Sequence, residues 1–358
     1  MARETVLAVP DSAGARSNLG SALLASGRLA EAEAEFEISL GLDPAHPFAR
    51  TGRAFVRLRE GRLEEAWDDY EARLEAERMG SNQELTVLID PSSLSGEAWT
   101  GDRREGRSLL IYPEQGQGDQ IQMVRYARLL AGDGPVIWAA PPSLRRLLAG
   151  APGITTVAAT EGALPPHGLH CSVMSLPRMF RTSLATIPGG VPYLRADAAR
   201  TAMWRARLDG VAGRKIGLAW QGNPDYLLDN LRSISPGALR ALDGARDANF
   251  VSLQVPRPEV PPPLRMIDPT AELSDFADTA ALMEALDLII TVDTSVAHLA
   301  GALGRPVWLL NRFNTDWRWL MHREDSPWYP TMRIFRQTAP RDWDGVLNRV
   351  RAALDEGL

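Results

Sequence analysis

The chain has 358 residues, of which 45% are hydrophobic and 23% charged, and its formal net charge is −6. This length suffices for two or three domains, and the composition is that of a globular protein with a sizeable core. With 39 basic and 45 acidic side chains, a general nucleic-acid-binding protein is disfavoured, because such proteins usually carry a basic excess. The single cysteine, Cys171, excludes an internal disulfide and a cysteine-based zinc site.

The sequence also argues against membrane insertion and secretion. No stretch approaches the about 18 consecutive apolar residues of a membrane-spanning helix, and the first residues lack the apolar segment of a signal peptide. His167 and His170 are three residues apart, but the prolines before them and Gly168 predict a loop there. We therefore expect a cytoplasmic protein without a membrane span and without a bound metal.

The first predicted elements are two similar pairs of helices. The segment 27–32 (GRLAEA) recurs at 61–66 (GRLEEA), 34 residues later, and Phe36 returns as Tyr70. This period is typical of tetratricopeptide repeats, in which an aromatic side chain fills the space between paired helices. The alternative is an ordinary helical hairpin with chance similarity. Because two repeats do not form a free-standing solenoid, we expect residues 1–80 to pack on the rest of the protein or to belong to a longer array.

Strands and helices alternate after a linker over residues 80–107. The clearest predicted strands are 108–112, 135–139, 215–220, 249–253, 287–292 and 306–310. A helix over 120–131 follows the first of them. This alternation predicts parallel sheets flanked by helices. We expect two Rossmann-like domains that face a cleft, an N-terminal acceptor domain over 81–207 and a C-terminal donor domain over 208–358.

The strand that ends at Asp293 is followed within two residues by a helix, and this turn is a candidate anion site. Thr294 and Ser295 lie in the first helical turn, where backbone N–H groups and the helix dipole favour phosphate oxygens. His298 follows one turn later, and ligands of open α/β sheets bind at the carboxyl ends of strands. The alternative is structural: Asp293 would cap the helix and His298 would be a core histidine.

A glycine turn over 114–119 (EQGQGD) follows the first predicted strand. It is not the dinucleotide-binding fingerprint, because Ile121 stands where the third glycine would be and the second strand lacks the ribose-binding acid. Asp119 either caps the next helix or acts as a general base that removes a proton from an acceptor hydroxyl. Glu114 is the competing carboxylate.

Two further segments are candidates for ligand contacts. The polar turn 220–224 (WQGNP) follows a predicted strand and precedes Arg232, and arginine pairs well with phosphate. The alternative is a plain turn and a surface arginine. Tryptophans are dense between Trp317 and Trp328, which indicates a stacking wall or a packed seam between domains.

Residues 292–308 (VDTSVAHLAGALGRPVW) resemble the C-terminal nucleotide-sugar motif of heptosyltransferase-like glycosyltransferases. Together with 113–119, 220–224, 316–319 and 324–330, in the expected order, they make the chain similar to bacterial proteins that join tetratricopeptide repeats to such a domain. Some members, the flagellin glycosyltransferases, use the repeats to hold a protein acceptor. The resemblance covers nearly the whole chain.

The resemblance implies an α/β GT-B fold, two Rossmann-like domains with the donor bound mainly to the second, preceded by short all-α repeats. It implies inverting, metal-independent transfer from a nucleotide-sugar co-substrate, with no resident cofactor and a protein as acceptor. The candidate donor-binding residues are Trp220, Gly222, Asn223, Arg232, Ser233, Gln254, Asp293, Thr294, Ser295 and His298. The candidate base is Asp119, and the candidate acceptor-side or turn residues are Glu114, Gln115, Gly116, Gly118 and Trp317.

Two loops depart from the family's pattern and keep alternatives open. The segment 225–231 (DYLLDNL) replaces a richer basic and polar run, and 254–258 (QVPRP) lacks the usual lysine. One alternative is therefore a catalytically degenerate protein that binds partners as a scaffold. A second is a sugar-nucleotide epimerase or hydrolase on the same body. The sequence makes no prediction of the oligomeric state.

Overall fold

The computed structural model describes residues 2–79 and 89–357, which form two compact units. The described residues up to 79, Pro177–Ile187 and Asn314–Arg323 make the first unit, and the remaining described residues make the second. The predicted boundary at 80/81 lies outside the described residues, and the three domain ranges stay a prediction. The sequence did not indicate that two later segments belong with the N-terminal helices.

The first unit is helical. Its helices are α1 (Ala2–Ala8), α2 (Ala13–Ala25), α3 (Leu29–Leu42), α4 (Pro47–Glu60), α5 (Leu63–Tyr70) and α6 (Arg73–Arg78). Phe36 of α3 is fully buried and fills the space between α2 and α4. A Cβ atom at Gly20 or Gly52 would lie 2.7 or 2.2 Å from its ring, so glycine permits this close packing. Among the described helices, none has the length and hydropathy that crossing a bilayer requires.

The segment Asn314–Arg323 packs within the helical unit. Trp317 is 2% exposed, and its ring lies edge-on to Trp67 and Tyr70, with centroids 5.8 and 6.4 Å apart. Arg59 donates a hydrogen bond of 2.6 Å to the side-chain oxygen of Asn314. Trp317, a candidate acceptor-side residue, therefore has a packing role here, which is the structural alternative that the sequence offered.

The second unit contains two parallel sheets, and the first has the strand order β1-β5-β2-β3-β4. Its strands are β1 (Glu97–Ala98), β2 (Leu109–Tyr112), β3 (Val136–Ala140), β4 (Thr156–Ala159) and β5 (Leu169–Ser172). The helices along this part are α7 (Gln117–Met123), α8 (Ala127–Leu130), α9 (Pro142–Leu148), α10 (Leu176–Met179) and α11 (Ala198–Leu208). The helix predicted over 120–131 begins earlier and is interrupted by a 3-10 turn at Val124–Tyr126.

The second sheet has the order β11-β10-β9-β6-β7-β8 and is also parallel. Its strands are β6 (Arg214–Ala219), β7 (Ala248–Ser252), β8 (Met266–Ile267), β9 (Leu288–Val292), β10 (Val307–Asn311) and β11 (Met332–Arg336). Its helices are α12 (Asp229–Arg232), α13 (Phe276–Met283), α14 (Ser295–Ala302) and α15 (Trp343–Glu356). The prediction of parallel sheets flanked by helices, after a helical region, is confirmed.

Both sheets have a topological switch point, where the chain order reverses. The first sheet grows from β2 through β3 to β4, and β5 then adds on the other side of β2. The second grows from β6 through β7 to β8, and β9 then adds on the other side of β6. Ligands of open α/β sheets bind beyond the carboxyl ends of the strands at such points. The residues that follow β2, β5, β6 and β9 are therefore the candidates for ligand binding.

A buried carboxylate joins helices from the two sheets. Asp278 of α13 is 2% exposed and accepts hydrogen bonds from Arg146 of α9 (3.1 Å), Arg200 of α11 and Ser274. Burial by itself raises the pKa of the Asp278 carboxyl, but the hydrogen bonds from Ser274 and Arg146 bring it below the ordinary value. The ionised carboxylate therefore stabilises this arrangement.

Asp278→Asn is expected to lower the free energy of unfolding by about 2 kcal/mol at neutral pH. Because the pKa is lower in the folded state, the carboxylate stabilises the fold above about pH 4, its pKa when unfolded, and this contribution is lost as the pH falls through the folded-state pKa. Urea unfolding should show the difference between variant and wild type shrinking in acid. Asp209→Asn, at an exposed position after α11, is the control. A difference that is independent of pH would contradict the prediction.

Candidate active site

The turn after β6 is held by the side chain of Gln254, which follows β7. The Gln254 Oε1 atom accepts hydrogen bonds from the backbone N–H groups of Trp220 (3.1 Å) and Gln221 (2.9 Å), and its Nε2 donates to the Gln221 carbonyl oxygen (3.2 Å). Gln254 is 4% exposed. These bonds fix the backbone conformation of the turn that is predicted to contact the donor, so Gln254 has a supporting role.

Arg232 lies at the carboxyl end of β9, although it belongs to α12. Its Nη1 donates to the backbone oxygen of Asp293 (3.0 Å), and its Nε donates to Asp229 Oδ1 (2.9 Å). The guanidinium stacks 4.5 Å above the ring of Tyr226. The side chain is 18% exposed. The structure thus brings the predicted cation beside the predicted anion-binding turn, and it adds a carboxylate that the sequence analysis did not include.

Gly222 is required by the same arrangement. A Cβ atom there would lie 2.2 Å from Asp229 Oδ1 and 2.5 Å from Arg232 Nη2. Its N–H donates to Ser233 Oγ (2.9 Å), which in turn donates to Asp229 Oδ2 (2.6 Å). Asn223 is exposed, and its Oδ1 accepts from the N–H of the residue two positions later. Ser233 and Gly222 therefore shape the turn, while Asn223 remains at the surface.

The turn after β9 starts helix α14, and Thr294 is its N-terminal cap residue in extended conformation (φ −143°, ψ 175°). The structural alternative that Asp293 is the cap is therefore wrong by one residue. Thr294 Oγ1 lies 3.3 Å from Thr291 Oγ1. Asp293, Thr294 and Ser295 are all partly exposed. Hydroxyl groups and the first helical turn consequently lie at the carboxyl edge of the sheet, as an anion site requires.

The two carboxylates of the glycine turn have different environments. Asp119 is partly exposed, and its Oδ2 accepts a hydrogen bond of 2.7 Å from the N–H of Gly116. Glu114 is fully buried and accepts a hydrogen bond from the hydroxyl of Ser172, at the end of β5. Gln115 has a positive φ of 63°, and its Nε2 is 3.5 Å from Glu114 Oε1. Glu114 thus ties β5 to the turn after β2, and Asp119 is the carboxylate that a substrate can reach.

Gly118 brings the first turns of α7 and α14 together. A Cβ atom at Gly118 would lie 2.8 Å from His298 Cδ2 and 3.3 Å from the Cα of Ser295. His298 is 5% exposed, and its Nδ1 lies 2.8 Å from the hydroxyl oxygen of Tyr329. The imidazole is therefore largely a packed group, as the structural alternative held. Because Asp119 follows Gly118 directly, the candidate base lies close to the start of α14.

Arg125 and Tyr329 are neighbours of this junction that the sequence analysis did not single out. Arg125 is 2% exposed and donates to the backbone oxygen of Trp328 (3.0 Å) and to the hydroxyl of Tyr193 (3.1 Å). Its guanidinium lies 4.7 to 5.2 Å from the centroids of the Tyr193, Trp328 and Tyr329 rings. The dense aromatic residues were a signal for this packing, whereas a single arginine in a helical pattern gave none.

A comparison with protein families finds a match to part of the second sheet. Residues 271–313 match the model of glycosyltransferase family 9 (heptosyltransferase), and this segment contains β9, α14 and β10. Protein FlbA of Caulobacter vibrioides is 26% identical over an alignment that covers 98% of this chain and 63% of FlbA. The chain therefore spans about three fifths of the length of that relative. The family match supports the predicted class of enzyme, a glycosyltransferase.

Two solved structures each match about 70% of this chain. A glycosyl transferase family 9 protein from Veillonella parvula superposes with a TM-score of 0.47 at 11% identity, covering 70% of this chain and 93% of that one. The ADP-heptose LPS heptosyltransferase II of E. coli superposes with a TM-score of 0.41 at 11% identity, covering 70% of this chain and 99% of that one.

Proposed function

We propose that the chain transfers a sugar from a nucleotide-sugar donor to an acceptor hydroxyl, in an inverting reaction that needs no metal and no resident cofactor. In this proposal the two sheets form the two halves of a GT-B body. The contact of Gly118 with Ser295 and His298 carries it, because the contact puts Asp119 next to the turn that resembles a donor-phosphate site. We also keep the predicted cytoplasmic location as part of the proposal.

The donor phosphate would bind at the first turn of α14. Backbone N–H groups, the hydroxyls of Thr294 and Ser295 and the charge of Arg232 favour an anion there. The same groups would stabilise the negative charge that develops on the leaving nucleotide. The partly exposed residues at the start of α14 leave these groups accessible, and Gln254 and Ser233 hold the turn after β6, the strand that pairs with β9.

Asp119 would act as the general base. It would take the proton of the acceptor hydroxyl while the oxygen attacks the anomeric carbon, on the face opposite to the leaving phosphate. We further propose that helices α2 to α5 are two tetratricopeptide repeats that help to hold a protein acceptor. The period of 34 residues and the close packing of Phe36 on Gly20 and Gly52 support this interpretation.

A ligand screen and a product assay test the proposal. Thermal unfolding should be measured with UDP-, ADP-, GDP-, dTDP- and CMP-sugars. A true donor at a hundredfold excess over its Kd should stabilise the fold by about 2.7 kcal/mol. Mass spectrometry of a co-expressed partner protein should then show the added sugar. If no nucleotide sugar stabilises the protein and no partner gains a sugar mass, the proposed function is wrong.

Arg232→Gln is expected to weaken binding of the stabilising nucleotide sugar about tenfold to a hundredfold, because it removes a charged donor beside Asp293. Isothermal titration measures the effect, and the melting temperature shows whether the turn is still folded. Arg240→Gln, at an exposed position in the same half of the chain, is the matched control and should bind as the wild type does. An unchanged Kd in a folded Arg232→Gln variant would remove Arg232 from the donor site.

One observation favours a second candidate, a binding scaffold without catalysis. Asp229, the first residue of α12, belongs to the segment 225–231, which departs from the family's pattern, and its carboxylate offsets part of the charge of Arg232. Such pairing would weaken phosphate binding. Sugar transfer to a partner would rule out the scaffold, and product analysis with the donor alone would distinguish transfer from epimerisation or hydrolysis.

A further inference from the structure

One buried arginine differs from the others in what surrounds it. The buried arginines within residues 2–79 and 89–357 are Arg73, Arg104, Arg125, Arg312 and Arg318. Arg73 and Arg318 pair with neighbouring carboxylates, at 2.7 and 2.9 Å. Arg104 and Arg125 donate to main-chain carbonyl oxygens. Arg312 is 9% exposed, and in the described part of the chain its guanidinium has neither a carboxylate nor a hydrogen-bond acceptor.

Arg312 lies at the carboxyl edge of the second sheet, directly after β10. Next to it, Gln337 follows β11 and is 3% exposed. The Gln337 Oε1 atom accepts from the N–H groups of Phe313 (3.0 Å) and Arg341 (3.2 Å), so its side chain reaches the residue that follows Arg312. Its Nε2 is a buried donor, and no described residue accepts from it. Two strand ends thus present a cation and an amide donor that the described residues leave unsatisfied.

Such an arrangement is unfavourable unless something binds. A buried charge without a partner, and a buried N–H without an acceptor, each lower the stability of the fold. An oxyanion would satisfy both the donors and the charge.

We propose that the carboxyl ends of β10 and β11 bind an oxyanion, a phosphate or a carboxylate, through Arg312 and the Nε2 of Gln337. Strand β10 pairs directly with β9, and neighbouring strands are about 4.8 Å apart. The site is therefore one strand away from the turn at Asp293, and a charged group elsewhere on a substrate could occupy it. The test of this site measures anion binding and not turnover, so the result does not depend on the proposed transfer reaction.

The substitution Arg312→Met tests the proposal through the melting temperature, measured both without and with a multivalent anion. In a buffer without multivalent anions, Arg312→Met should melt at the same temperature as the wild type or higher, because methionine fills similar space without a charge. Arg104→Met should melt lower, because Arg104 is buried with its acceptors. Because the proposed donor site at α14 would also bind phosphate, this arm uses Arg232→Gln, in which that site is weakened. Inorganic phosphate should raise the melting temperature of Arg232→Gln beyond sodium chloride of equal ionic strength, and adding Arg312→Met should remove most of that rise.

A second variant and a second anion complete the test. Arg312→Lys keeps the charge and should retain a weaker response to phosphate. Glucuronate replaces phosphate in a parallel titration, and the larger response identifies the source of the oxyanion. No response of Arg232→Gln to either anion overturns the proposal. A response that Arg312→Met keeps in full also overturns it. Asp119→Asn should reduce sugar transfer without changing the anion response. Failure of the transferase proposal and failure of the anion-site proposal therefore give different results.

Discussion

Asp119→Asn should reduce sugar transfer by about a hundredfold to ten-thousandfold, which is the usual contribution of a general base. Asparagine keeps an oxygen that can accept the hydrogen bond from Gly116, so the start of α7 is retained, but its amide cannot take a proton. Donor binding should stay close to that of the wild type. Single-turnover transfer assays and donor titrations measure the two quantities separately.

A matched control variant distinguishes the two possible roles of Asp119, general base and helix cap. Asp197 also accepts a backbone hydrogen bond at the start of a helix, 2.8 Å from the N–H of Arg200, and it lies outside the candidate site. Asp197→Asn should transfer sugar at the wild-type rate. If Asp119→Asn keeps the wild-type rate as well, Asp119 is a helix cap and another group is the base.

Arg125→Met should lower the free energy of unfolding by about 3 to 5 kcal/mol. The substitution leaves the Tyr193 hydroxyl and the Trp328 carbonyl oxygen without their donor inside the protein. It also removes a cation from three aromatic rings, a contact that is stronger when it is shielded from water. Because Arg125 connects residues from both sheets of the second unit, the loss should appear as one cooperative transition.

The control for this change lies in the next turn of the chain. Arg128 is exposed, and Arg128→Met should change the stability by less than about 0.5 kcal/mol. Urea unfolding followed by tryptophan fluorescence measures both variants. A loss below about 1 kcal/mol for Arg125→Met would mean that ring stacking and van der Waals packing, and not the guanidinium, hold this junction.

The sequence was sufficient for those parts of the fold that local patterns encode. Continuous apolar runs identified β2, β9 and β10, because buried parallel strands read in this way. The short β8 and the strand β11, whose Arg333 and Arg336 interrupt its apolar residues, were not predicted. Their positions depend on pairing with distant strands, and hydropathy over a short window does not contain that information.

The same distinction applies to the candidate site. The strand, polar turn and helix around Asp293 could be predicted from the sequence, and Arg232 lies beside this candidate anion-binding turn. The partners of Gln254, His298 and Glu114 did not follow, because each bonds to a group far away along the chain. Such distant contacts decide the role of a side chain at a strand end. The residue type alone therefore does not show whether the side chain contacts a ligand or only holds a turn in place.

The segment Asn314–Arg323 has a consequence for how such proteins can be cut and recombined. Trp317 is buried against Trp67 and Tyr70, and Pro177–Ile187 belongs to the same helical unit. Deleting the N-terminal helices would therefore uncover a large aromatic surface on segments that the rest of the chain must still carry. The helices are not an exchangeable module, and a truncated enzyme should be prone to aggregation unless these segments are replaced together with them.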